Sequence, residues 1–132
     1  MIRILKSTLY ASLLSLAATG FASAQEPIKI GFMGVLSGPA ASVGQDQLDG
    51  FNLLLEQNDG KLGGVPIELI REDSQMKPGV AKQVARSLVE RENVPIITGI
   101  SFSNIMMAIH KYVTDNEVFL IGSNAGPSQI AG

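Results

Sequence analysis

The chain has 132 residues, of which 45% are hydrophobic, and it contains neither cysteine nor tryptophan. This hydrophobic share is typical of a chain with a folded core, and the length allows one domain at most. With 10 basic and 12 acidic residues and no basic block, the charge pattern does not point to a nucleic acid partner. The absence of cysteine excludes disulfides, thiol nucleophiles and thiolate metal sites.

The first 24 residues have the pattern of a secretory signal peptide. A short basic start is followed by an apolar run over residues 9–18 and by Ala22-Ser23-Ala24, small residues that signal peptidase accepts. We predict cleavage after Ala24 and export of residues 25–132 in soluble form. A transmembrane anchor is the alternative, but the apolar run is shorter than the ~20 residues that span a bilayer.

Segments with the patterns of strands and helices alternate along the rest of the chain. Short apolar runs with β-branched residues predict strands, and apolar residues three and four positions apart predict helices. Segments rich in Gly, Ser and Pro predict the loops between them. The predicted strands are residues 28–33, 65–71, 94–98 and 118–121, and the predicted helices are residues 45–58, 80–89 and 102–113.

This alternation predicts an α/β fold with a doubly wound parallel sheet. The strands are apolar enough to be buried on both faces, as in a parallel sheet covered by helices. Right-handed crossovers then favour a doubly wound sheet, for which we take the strand order 2-1-3-4. No complete helix follows the fourth predicted strand, so we expect residues 25–132 to belong to a longer protein and this strand to be left uncovered.

The sequence offers no strong catalytic motif. Gly99-Ile100-Ser101-Phe102-Ser103 is similar to the nucleophile elbow of serine hydrolases, except that its last residue is not Gly. The single histidine, His110, lies two turns further along the same predicted helix, roughly 10 Å of rise from Ser103, which is too far for a general base. We therefore predict no enzymatic activity, and we interpret His110 as a half-buried structural residue.

The residues also lack the spacing of cofactor and metal sites. The glycines around the first strand do not match the dinucleotide or P-loop motifs, and the acidic residues show no metal-ligand spacing. We predict neither a cofactor nor a metal. Glu72-Asp73 ends the second strand and is interpreted as capping the turn that follows, with a catalytic pair as the weaker alternative.

The predicted topology places a ligand cleft at the carboxyl ends of the strands, where the strand order reverses. The loops there are residues 34–44, 99–104 and 122–127, all rich in Gly and Ser. The start of the third helix offers free N–H groups and a partial positive charge, which suit a carboxylate. Ser103 or Asn104 is also a natural N-cap for this helix. Ligand binding and simple capping are equally compatible with the sequence.

An ordered set of short motifs resembles the leucine/isoleucine/valine-binding family, the type I periplasmic substrate-binding proteins of branched-chain amino acid ABC transporters. The match extends over residues 28–132, and each motif is weak alone whereas their order is specific. The motifs are Ile28-Lys29-Ile30-Gly31, Leu36-Ser37-Gly38-Pro39-Ala40, Asn58-Asp59-Gly60-Lys61-Leu62-Gly63-Gly64 and Ala125-Gly126-Pro127-Ser128.

The resemblance implies a fold of two α/β lobes that close on an amino acid, with residues 25–132 forming part of the N-terminal lobe. It implies a periplasmic protein that performs no chemistry, delivers its ligand to a membrane permease and is a monomer when complete. The resemblance assigns the ligand carboxylate to Ser103, main-chain contacts to Asn124 and Gly126, and the side-chain pocket to Val43.

Three of these positions depart from the family pattern. Gly126 offers no hydroxyl, Asn124 is larger than the usual small residue, and Val43 is smaller than the usual aromatic residue. We therefore expect an amino acid, branched-chain or similar, rather than leucine specifically. A ligand-sensing domain of a receptor or regulator, and ligands such as amides, urea or aromatic acids, are the alternatives.

Overall fold

The computed structural model describes residues 25–130, so the predicted signal peptide lies outside the described residues. None of the helices within this part is long and apolar enough to cross a membrane. The strands are β1 (Ile28–Gly34), β2 (Lys61–Leu62), β3 (Val65–Asp73), β4 (Ile96–Ile100) and β5 (Phe119–Gly122). The helices are α1 (Ala41–Gln57), α2 (Pro78–Arg86), which continues as a π-helical turn over Ser87–Arg91, and α3 (Ser103–Asp115).

The described strands form one sheet in the order β2-β3-β1-β4-β5. The central strand β1 pairs in parallel with β3 on one side and with β4 on the other, and β5 pairs in parallel with β4. This confirms the predicted α/β class and the predicted order of the four main strands. The short β2 was not predicted; it pairs antiparallel with the start of β3 through a two-glycine turn.

The core lies on both faces of the central strands because consecutive side chains of a strand point in opposite directions. Phe32 meets Phe51 of α1, with ring centroids 6.3 Å apart, on one face of β1. Met33 belongs to the buried cluster on the face covered by α2 and α3. That cluster also contains Ala81, Val84, Ala85, Leu88, Ile97, Ile100, Ile105, Met106, Ile109 and Val113.

Most predicted boundaries differ from the structure by one or two residues, whereas the start of α1 differs by four. Helix α1 begins at Ala41, not at residue 45, because Gly44 is a helical residue packed against the loop after β1. A Cβ atom at Gly44 would lie 2.2 Å from the carbonyl oxygen of Val35, so glycine here permits a close approach rather than a turn. Strand β4 runs over Ile96–Ile100, two residues later than predicted; Val94 is buried but precedes the strand.

The prediction that the fourth main strand is left uncovered is confirmed for β5. Its side chains at Phe119 and Ile121 are 72% and 54% exposed, whereas Leu120 between them packs against the buried cluster. Burial of this strand on both faces, also predicted from its apolar composition, is therefore wrong within the described residues.

Candidate ligand-binding site

The candidate site is the sheet edge at the carboxyl ends of β1, β3, β4 and β5. Parallel pairing brings these four ends to the same edge. The crossover from β1 leads to β3 on one side, and the next one leads to β4 on the other, so the chain direction across the sheet reverses beside β1. Ligands of open α/β sheets bind in the crevice at this reversal.

Ser103 is the first residue of α3 and is exposed at this edge. The predicted capping role is wrong: the N-cap is Phe102, in extended conformation, and no side chain caps the helix. The first N–H groups of a helix precede its internal hydrogen-bond ladder, which begins here with Ile105 N–H donating to the Phe102 carbonyl at 3.1 Å. The helix start therefore presents a hydroxyl and free N–H groups, which favour an anion.

Asn124 lies in the loop after β5, beside the corner that leads into α3. The N–H groups of Ser123, Asn124 and Ala125 all point to the Ile100 carbonyl, at N–O distances of 3.1, 3.4 and 3.3 Å. The Asn124 amide also donates to the Ser101 carbonyl at 3.4 Å. The loop is thus fastened to the end of β4, and the structure brings Asn124 to the same corner as Ser103.

Gly126 follows in the same loop and is exposed, and a Cβ atom there would meet no atom within 4 Å. A larger residue would therefore fit at this position without a steric clash. Sequence reasoning missed Ser123, whose hydroxyl accepts the Gly99 N–H at 3.1 Å. Gly99 has φ +88°, which glycine adopts readily, and an added Cβ would meet the Phe32 ring. The bond from Gly99 to Ser123 therefore fixes an irregular part of β4.

Val43 lies half-buried in the first turn of α1, which starts at the same edge of the sheet. One turn later, Gln47 accepts a hydrogen bond from the Ser101 hydroxyl at 2.7 Å. This bond places the start of α1 next to the corner that carries Ser103. The structure therefore gathers all four predicted site residues at the carboxyl edge, Val43 on α1 and the others between β4 and the loop after β5.

The same contacts argue against the serine hydrolase alternative. The Ser101 side chain is only 4% exposed and its hydroxyl is held by Gln47. The half-buried His110 lies in the same helix as predicted, with Nδ1 3.1 Å from the Met107 carbonyl oxygen. No group of three or more metal-ligating side chains occurs among residues 25–130.

A second part of the edge is organised by Asp73, at the end of β3. Its carboxylate accepts hydrogen bonds from the N–H groups of Leu36 and Gln75 and from the Ser37 hydroxyl. Partial burial on its own raises the pKa of this carboxyl, but the hydrogen bonds from Ser37, Gln75 and Leu36 outweigh it and lower the pKa below its ordinary value. The predicted turn cap is confirmed by the bond from Gln75. The bonds to residues nearly forty positions earlier were not predictable from local sequence.

The chain matches the family model described as periplasmic binding protein over residues 27–132. Leu/Ile/Val-binding protein homolog 6 of Brucella abortus is 30% identical over 117 residues, which cover 88% of this chain and 30% of that protein. The chain thus spans less than a third of the length of the curated relatives it matches.

The solved structures that share this fold include two with different bound ligands. The branched-chain amino acid transporter substrate-binding protein LivJ of Streptococcus pneumoniae, in complex with isoleucine, is 28% identical with a TM-score of 0.72, covering 78% of this chain and 30% of that one. A solute-binding protein of an R. palustris ABC transporter, in complex with 4-hydroxybenzoate, is 30% identical with a TM-score of 0.73, covering 80% and 29%. The chain belongs to the periplasmic binding protein family.

Proposed function

We propose that this chain forms the first part of the N-terminal lobe of an exported substrate-binding protein that captures an amino acid, branched-chain or similar, for uptake. The observation that carries the proposal is the start of α3, where the exposed Ser103 hydroxyl and free N–H groups lie at the sheet edge. Such a helix start is suited to the ligand carboxylate. Asn124 and Gly126 flank it, and Val43 lines the space for the ligand side chain.

The protein would act without chemistry of its own, and the relatives found are substrate-binding proteins rather than enzymes. We propose a periplasmic location, a membrane permease as the partner that receives the ligand, and a monomer when the protein is complete. A receptor or regulator domain is not favoured, because both solved relatives described above are transporter proteins.

An aromatic carboxylate is the second candidate ligand. The R. palustris relative is in complex with 4-hydroxybenzoate, and a carboxylate is the part that this ligand shares with an amino acid. Val43 fills less space than an aromatic residue would, which leaves room for a ring. The same contacts at Ser103 would hold either carboxylate.

A panel of ligands tests the proposal on the full-length exported protein. Isothermal titration calorimetry with leucine, isoleucine, benzoate and 4-hydroxybenzoate should give a micromolar or tighter Kd for one of the two classes. The corresponding amide, leucinamide or benzamide, should bind at least about tenfold more weakly, because it cannot offer a charged acceptor. Equal binding of acid and amide, or no binding of any acid, would contradict the proposed function.

Export is tested separately. Mass spectrometry of the exported protein should find Gln25 at the N-terminus, because the Ala22-Ser23-Ala24 segment provides the small residues that precede a cleavage site. An exported protein that keeps Met1 would show that residues 1–24 are not a cleaved signal.

A further inference from the structure

We propose that Asp73 is a positioning residue of the ligand site, which sets the place of Val43 through the loop after β1 without touching the ligand. The inference rests on the proposed function. It concerns the half of the site that lies on α1, whereas the carboxylate half at Ser103 is built from other elements.

The Asp73 carboxylate joins two loops at the carboxyl edge. In the sheet register Asp73 lies opposite Gly34, the last residue of β1. One oxygen, Oδ1, accepts the Leu36 N–H at 2.9 Å and the Gln75 N–H at 2.8 Å, and Oδ2 accepts the Ser37 hydroxyl at 2.5 Å. Hydrogen bonds to a charged acceptor are stronger than neutral ones, so this carboxylate is the main polar anchor of the loop.

The next residue, Ser74, fastens the loop after β3 to the end of β1. The Ser74 N–H and hydroxyl both donate to the Gly34 carbonyl, at 2.8 and 2.9 Å, and this side chain is 1% exposed. The end of β1 is therefore held independently of Asp73. The Asp73 carboxylate holds Leu36 and Ser37, the residues that follow the strand.

The loop after β1 is in turn packed closely against α1. Val35 is 2% exposed, and the backbone of Gly44 stands so close to it that an added Cβ would lie 2.2 Å from the Val35 oxygen and 2.7 Å from its nitrogen. Backbone segments in such close contact cannot move independently of each other, because protein interiors are close-packed. Leu36 and Ser37 lie between this contact and the start of α1, where the Ala41 N–H donates to the Gly38 carbonyl at 3.1 Å. A shift of these two residues therefore moves the first turn of α1, which carries Val43.

The Ser103 corner depends on a different set of bonds. It is held by the three N–H groups that point to the Ile100 carbonyl and by the Asn124 amide on Ser101. None of these bonds involves Asp73 or the loop after β1, and the bond from the Ser101 hydroxyl reaches α1 at Gln47, one turn beyond Val43. A change at Asp73 should therefore affect the side-chain pocket while the carboxylate contact keeps its strength.

A double-mutant cycle in the full-length protein tests this separation, with Kd measured well below each melting temperature for whichever acid the parent binds. We expect Asp73→Ala to weaken binding about tenfold, the size of effect that loss of one hydrogen bond to a charged group can produce. Val43→Ala should then have less effect in the Asp73→Ala background than in the parent. Ser103→Ala should have nearly the same fold-effect in both backgrounds, because Asp73 and Ser103 share no hydrogen-bond partner.

Three further variants keep the test decisive. Ser37→Ala removes one of the three bonds and should weaken binding less, with the same coupling to Val43→Ala; if Asp73→Ala does not fold, this cycle decides. Asp73→Asn keeps one oxygen acceptor and should restore most of the affinity. Asp49→Ala, at an exposed carboxylate of α1 bonded only to Gln45 of its own helix, should leave Kd unchanged.

The outcomes separate this inference from the proposed function. If the parent binds and Asp73→Ala or Ser37→Ala keeps the parental Kd, or if their effects simply multiply with that of Val43→Ala, the inference is wrong and the proposed function stands. If the parent binds none of the acids in the panel, the proposed function is wrong and the inference falls with it.

Discussion

Ser103→Ala is expected to weaken ligand binding by roughly 10- to 150-fold, because a hydrogen bond to a charged group contributes about 1.5–3 kcal/mol. The hydroxyl sits on the first residue of α3, where the N–H groups of the helix start converge on the same anion. Titration calorimetry of the full-length protein measures the effect, at a temperature well below unfolding.

The folding contribution of Ser103 can be separated from its ligand contribution. Since Ser103 is not the N-cap and no side chain caps this helix, the ligand-free melting temperature should hardly change. Thr114→Ala removes a hydroxyl from the far end of the same helix, where it donates within the helix, and His110→Ala removes the half-buried ring; both should keep the parental Kd. A Ser103→Ala variant that binds like the parent, or a loss of binding in His110→Ala instead, would show that the site is assigned to the wrong residue.

Gly44→Ala should lower the free energy of unfolding by about 3 kcal/mol or more, at the upper end of the usual cost of overpacking. The new Cβ would lie 2.2 Å from the Val35 carbonyl oxygen, which is backbone and cannot rotate away. Helix α1 would have to retreat from the loop after β1. Urea unfolding of the parent and the variant measures the difference, as a lower midpoint for the variant.

Gly50→Ala provides the matched control, since it makes the same change in the same helix. A Cβ atom at Gly50 meets nothing within 4 Å, and alanine in an exposed helix interior is favoured over glycine by roughly 0.5–1 kcal/mol. The two substitutions should therefore shift the midpoint in opposite directions. Shifts of the same sign would show that α1 does not approach Val35 as closely as described.

The fold was predictable because its information is local. The spacing of apolar residues predicted four strands and three helices, and right-handed crossovers favoured a doubly wound sheet, whose strand order 2-1-3-4 the structure has. The errors occurred at glycines, which are common in loops but also occur where two backbone segments approach closely or where a turn joins two strands. Gly44 follows a segment rich in Gly, Ser and Pro and was therefore assigned to a loop, but it lies in α1 and permits a close contact with Val35. Gly63 and Gly64 were interpreted only as the end of a helix, so the two-residue strand before them was not predicted.

The site was predictable only in part. The loops at the carboxyl edge follow from topology, and the resemblance pointed to particular residues within them. Capping by Ser103 was wrong because a one-residue difference in where the helix begins decides which side chain can reach the first N–H groups. The contacts of Asp73 with Leu36 and Ser37, and of Gln47 with Ser101, join residues far apart in sequence, and no local pattern encodes such pairs.

Among the described strands, the first in the sequence, β1, occupies the centre of the sheet, and this affects the order in which the sheet can form. Ile28 pairs with Ile67 and Ile30 with Ile96, so β1 has neither neighbour until β3 and β4 have left the ribosome. Pairings this distant form slowly, because long loops must close before any contact is gained. Until those partners emerge, the sheet cannot close around β1, and a chain without its sheet can still be threaded through a narrow translocation channel, as the proposed export requires.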